Sequence, residues 1–196
     1  TGITTTGQET TAQPQAQGAD LNGDGETDHL EVVTTKEEND GLGFKRELVV
    51  YTGEGADIDA WYTAEDVILS TEHGGTMGAP LKGVSIENGT IVVRHFGGSR
   101  QKWSYVHRFR WQNDDFQLIS ATVESNDPCT QLAVLEYNLS TGSAKYSTPP
   151  QNCETGEKGN TAILSFQKKQ PQPSMNGYNT GEYSLQGPGM AEPAYY

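Results

Sequence analysis

The chain has only two cysteines, Cys129 and Cys153, and they do not form a C-x-x-C pair, so the close thiol spacing of redox and zinc sites is missing. No apolar run approaches the about 20 residues that a membrane-spanning helix requires. Positive charge is scarce as well: 13 Lys and Arg stand against 26 Asp and Glu, giving a net charge of −13 and a pI near 4.6. Nucleic acid and anionic membrane surfaces both need clustered positive charge, so this composition argues against either as a partner.

Catalytic signatures are equally thin. The four histidines, His29, His73, His95 and His107, show no H-E-x-x-H or other close zinc spacing. There is no G-x-S-x-G elbow, and the glycines of "EHGGT" carry no esterase signal without one. Carboxylate pairs could be drawn from Glu65, Asp66, Glu72, Asp114 and Asp115, but catalytic carboxylates are defined by separation and environment, which a sequence does not display. The expectation is a protein that is not an enzyme; the remaining catalytic reading is a hydrolase using Glu72 and His73.

What is present begins with "ADLNGDGETDHLEVVTT", residues 19–35. Asp20, Asn22, Asp24 and Asp28 occupy positions 1, 3, 5 and 9 of a loop whose sixth residue is Gly25. Oxygen ligands from alternate residues, a glycine at the bend and the main-chain carbonyl of Glu26 at position 7 are how a chain wraps a hard cation such as Ca²⁺. Without a cation these carboxylates repel one another; with one, the loop becomes a structural staple. Asp20 to Glu31 also satisfies the full EF-hand pattern, with Glu31 at the bidentate position. The flanking helices are missing, however: Pro14 and Gly18 lie upstream, and "HLEVVTTK" downstream alternates as a strand.

The order D-x-N-x-D-G-x-x-D followed by a strand resembles the calcium loops of FG-GAP repeats, found in integrin α-subunit propellers and in many exported bacterial proteins. Residues 74–120, with "FGGS", a tryptophan and "FR" after the D-x-N-G-D-G loop, resemble a family of exported bacterial proteins and lipoproteins of largely uncharacterised function. The resemblance implies location and architecture, and no activity. A periplasmic or extracellular protein is expected, and since the chain begins with Thr, an export signal or lipid-bearing cysteine would precede residue 1. In that compartment Cys129 and Cys153 read as a disulfide closing a hairpin-like segment, worth about 3 kcal/mol, with two separate thiols as the alternative.

Three segments are expected. Residues 1–18 are Thr- and Gln-rich and form a flexible N-terminal segment; 19–167 form a β-rich calcium-binding domain; 168–196 form a Pro-, Gly- and Tyr-rich tail. Both end compositions offer little burial against their ordering entropy. If the tail packs, Tyr178, Tyr183, Tyr195 and Tyr196 are its contact residues. Within the domain, apolar alternation and turn residues mark strands at 29–36, 45–53, around Asn88-Gly89, at 101–111 and onward to "TAILSFQ". Residues 57–69 are the one stretch that fits a short helix. The fold class is mostly β: a single-domain antiparallel meander, sandwich or open barrel-like, with one calcium loop and irregular tails. A full propeller would need several such loops.

Arg94, Arg100, Lys102, Arg108 and Arg110 gather five of the 13 basic residues within 17 positions, interleaved with aromatics. Arginine beside aromatic residues is hot-spot chemistry, although a solvated or internally paired strand face reads the same way. The expected function is an exported, non-catalytic, calcium-stabilised domain that binds another protein, as an inhibitor or immunity protein against a secreted toxin or cell-wall hydrolase. The alternative is a carbohydrate-binding module using Trp61, Trp103 or Trp111.

Overall fold

Alternating apolar residues separated by short polar turns fold into consecutive hairpins, and the computed structural model describes them over residues 18–53, 58–127, 131–148, 155 and 160–196. Cys129 and Cys153, and with them the expected disulfide, lie outside the described residues. Strands β1 (Asp28–Glu38), β2 (Phe44–Thr52) and β3 (Asp59–Ile68) form an antiparallel sheet in the order β1-β2-β3.

A second, seven-stranded sheet follows as an unbroken meander: β4 (Leu81–Glu87), β5 (Thr90–Gly98), β6 (Lys102–Gln112), β7 (Asp115–Asp127), β8 (Gln131–Asn138), β9 (Ser143–Thr148) and β10 (Ala162–Gln167). A two-residue pair, β11 (Ser184–Leu185) with β12 (Ala194–Tyr195), completes the fold. The described residues contain no α-helix, only one 3-10 turn at Gly75–Met77. The sheets are antiparallel and open, so the architecture is the expected mostly-β meander. At the β4–β5 turn, Asn88 (φ 50°) and Gly89 (φ 68°) take the left-handed conformation that a two-residue hairpin with native twist demands.

The short helix expected at 57–69 is a strand instead. Along β3 the buried or half-buried positions are Trp61, Tyr62, Ala64, Val67 and Ile68, a spacing near three that imitates a helix. Two irregularities in the β2–β3 register, at Val50/Tyr51 and Arg46/Glu47, shift the strand's phase and create that spacing. Asp66, at φ 64°, lies within one of them.

Inward residues of both sheets share one core. Leu48, Val50 and Ala64 of the small sheet join Ile91, Val93, Phe109 and Leu118 of the large one. The two sheets are also tied by polar links: the Tyr62 hydroxyl donates to Asp115 at 2.7 Å, and the Leu69 N–H donates to Nε2 of His95 at 3.2 Å.

The C-terminal segment departs from its compositional expectation. Met175, Tyr178, Leu185 and Tyr196 are buried and belong to the core. Main-chain bonds seat the segment: Met175 N–H to the Phe116 carbonyl at 2.7 Å, Leu118 N–H to that of Pro173 at 2.9 Å and Gly177 N–H to that of Glu65 at 3.1 Å. Tyr178 stacks on Tyr183 with centroids 5.1 Å apart, and Tyr183 stacks on Tyr196 at 6.0 Å. Two large aromatic rings, Tyr178 and Tyr196, are buried in the core while Tyr183 and Tyr195 stay exposed, and that burial offsets the cost that the intervening Pro, Gly and Asn imply.

Candidate functional site

The 20–28 loop is built from Asx turns. Asp20 accepts from the Gly23 N–H at 2.6 Å and the Gly25 N–H at 3.0 Å, Asn22 from the Asp24 N–H at 3.0 Å, and Asp24 from the Glu26 N–H at 2.8 Å. Asn22 also donates its amide to Asp24 at 2.8 Å. The Glu26 N–H, together with that amide, holds the exposed Asp24 carboxyl below the usual range. Asp28 is different. It is fully buried, accepts the Leu21 N–H at 2.7 Å, and accepts the indole N–H of Trp61 at 2.8 Å. One carboxylate thus fastens the loop to its own first strand and to β3.

Among the described residues no Lys, Arg or His lies within ion-pair distance of Asp28, which leaves a buried carboxylate without a positive partner. The Leu21 and Trp61 N–H groups, one on each oxygen, are what offset the burial of this carboxyl group. The donor set of Asp20, Asn22, Asp24, Asp28 and the Glu26 carbonyl fits Ca²⁺ in kind and order. The acidic side chains, however, turn toward the loop's own N–H groups, and no three His, Cys, Asp or Glu side chains among the described residues converge as a metal-binding group. Glu31 is exposed on the opposite side of β1 from Asp28 and Leu30, beside Tyr51.

The basic residues are largely engaged within one face of the large sheet. Arg94 and Arg108 both grip Glu87, at 2.6 and 3.0 Å, and Arg94 also donates to Ser85 at 2.9 Å. This fork, led by the Arg94 hydrogen bond, draws the Glu87 carboxyl down to about 2. Arg110 donates through Nε and Nη2 to Gln112. Arg100 and Lys102 sit at the other end of the strip, where the β5–β6 turn enters β6.

Of the tryptophans, Trp61 and Trp111 pack edge to face at 5.1 Å and share Phe116 in a half-buried cluster with Tyr62. Trp103 borders an open cavity. That cleft, of about 450 Å³, runs between the inner face of β6 to β9 and the turn Glu192–Tyr195. As for the candidate catalytic residues, Glu72 is exposed, while His73 lines a separate polar pocket of about 80 Å³, where burial lowers its pKa from the ordinary imidazole value. Asp115 serves as the acceptor of Tyr62.

Protein families, curated proteins and solved structures were all compared with this chain, and none matches.

One further feature emerges from the topology. Strand β10, "AILSFQ", forms one edge of the large sheet and carries neither charge nor proline. Its Leu164 and Phe166 side chains face Gly189 and Gly187 of the C-terminal segment. On the other face Ile163 is 58 % exposed. The register Ile163–Ser147–Val134 places it on the same face as half-buried Val134, with Leu132, 41 % exposed, two residues back along β8. Among the described residues, no main-chain bond outside the β9 ladder engages Ala162 to Gln167. Sequence periodicity identifies this strand but not its place at the edge, which depends on the order of all seven.

Proposed function

We propose that this chain is a non-catalytic, exported, calcium-stapled β-domain that binds another protein by accepting an extended segment of it as an added strand beside β10. The observation that carries this reading is the uncharged edge of β10, which no other strand pairs among the described residues, with Ile163, Val134 and Leu132 beside it. Proteins usually guard such edges with charge, proline or a covering element, and an unguarded edge is a template for strand addition. Main-chain bonds along the edge would supply affinity, and the exposed aliphatic side chains would choose the partner's alternate residues. The surplus negative charge favours a basic partner and speeds its encounter. A secreted toxin or a cell-wall hydrolase, with this chain as its inhibitor or immunity protein, is the class of partner proposed.

The calcium loop serves this reading as a staple. Asp20, Asn22, Asp24, Asp28 and the Glu26 carbonyl would hold the ion, which would neutralise the buried Asp28 carboxylate. Asp28 in turn holds β1 against β3 through Trp61.

The test is affinity capture from periplasmic and secreted fractions with the whole chain and with Ile163→Lys. A partner retained by the first and lost by the second, at unchanged stability, is the expected outcome. Equal retention by both, or retention by neither, removes the edge from the account.

A further inference from the structure

We infer that the cleft between β6–β9 and the Glu192–Tyr195 turn is a binding site for a short, uncharged oligosaccharide, separate from the β10 edge. Its volume of about 450 Å³ lies within the range of small-ligand sites. Four aromatic rings line it: Trp103, Tyr105, Tyr146 and Tyr195. Trp103 is set rigidly, because its six-membered ring lies directly against Gly97, where a Cβ would overlap ring atoms Cζ2 and Cη2. Tyr105 follows on the same face of β6, tilted 48° to the indole at 5.3 Å. Tyr195, on β12 at the rim, is 53 % exposed. The two β6 rings form a fixed platform, while Tyr195 offers a ring from the opposite wall.

The polar groups narrow the ligand class. Lys102 and Glu192 are the charged side chains bordering the cleft, one of each sign, with Ser125 between strands as a hydroxyl partner. A phosphorylated or sulfated ligand would want net positive charge, and this acidic chain supplies none there. A purely apolar ligand would strip water from Lys102 and Glu192 without replacing it, which is unfavourable. A sugar ring satisfies both demands: its C–H face packs on an aromatic ring, and its hydroxyls hydrogen bond to carboxylate, ammonium and hydroxyl groups at the edge. Rings already held in place lose little entropy on binding, so such a platform binds more tightly than mobile side chains would.

The experiment is a glycan array with the whole chain, followed by titration of the strongest neutral binder while tryptophan emission is recorded. The expected result is a saturable change in emission. Trp103→Ala should weaken binding about tenfold or more, as loss of a stacked hot-spot ring does. Tyr195→Ala, at a rim position 53 % exposed, should also weaken it several-fold at a melting temperature close to that of the unaltered chain, and Ile163→Lys should leave it unchanged. The inference is overturned if no neutral glycan binds, if only charged glycans bind, or if Tyr195→Ala binds as tightly as the unaltered chain. Displacement of the bound sugar by an extended peptide that needs Ile163 would equally overturn it, since the two sites would then be one.

Discussion

Asp28 shows how much one side chain can hold. It has no solvent to fall back on, and its two oxygens satisfy the Leu21 N–H and the Trp61 indole. Asp28→Ala should cost about 1–3 kcal/mol for each donor left without an acceptor, read by urea unfolding in chelator. A change below about 0.5 kcal/mol, the scale of a neutral surface substitution, would contradict the assigned role. The sequence displays the order of the loop's oxygens, because that order is local. It does not display the Asp28–Trp61 bond, which joins residues 33 positions apart and exists only once β1, β2 and β3 have paired.

Two buried histidines set the pH response at the same scale. His95 is lowered to about 3, first by burial and then by Arg46 and His73; His107 is lowered to about 3 by burial and by His95. Nε2 of His107 lies 3.2 Å from the Tyr178 hydroxyl. Both rings are neutral when folded but charge near 6.5 when unfolded, so between about 3 and 6.5 the unfolded chain binds more protons. Stability should therefore fall as pH drops below about 6.5 and continue falling toward 3. Thermal melts from pH 7 to pH 4 should show this decline, and His107→Gln should make it shallower; an unchanged slope would remove His107 from the explanation.

Among the elements, the C-terminal segment and β3 are where sequence and structure part. Pro, Gly and Asn between residues 168 and 196 signal little burial, because composition averages over a segment whose burial rests on a few separated rings. Alternation made β4 to β10 legible, since a period of two survives wherever pairing is regular. In β3, irregular pairing erased it. The segment's weight can be measured. Tyr178→Ala should cost about 3–5 kcal/mol, as deletion of a buried aromatic does, whereas Tyr178→Phe should cost about 1 kcal/mol, the worth of the lost bond to His107. Equal effects from the two substitutions would contradict the packing described.

For the whole molecule, the function proposed above joins the charge balance, the open sheets and the 20–28 loop: a scaffold, stapled by calcium, that presents an edge. Millimolar Ca²⁺ should raise the melting temperature over chelator, corresponding to about 2.7 kcal/mol when the free ion is a hundredfold above its Kd. Asp24→Asn should reduce that gain, and no difference between calcium and chelator would remove the ion. The cleft and the β10 edge were beyond sequence reading because each depends on strand order and on where residues 192–195 return to the sheet.

The binding claim itself is tested most directly by amide hydrogen exchange on the whole chain, alone and with the captured partner. Slowed exchange concentrated in Ala162 to Gln167, absent with Ile163→Lys, is the expected result. Protection confined to another surface, with β10 exchanging as fast as in the free chain, would contradict strand addition.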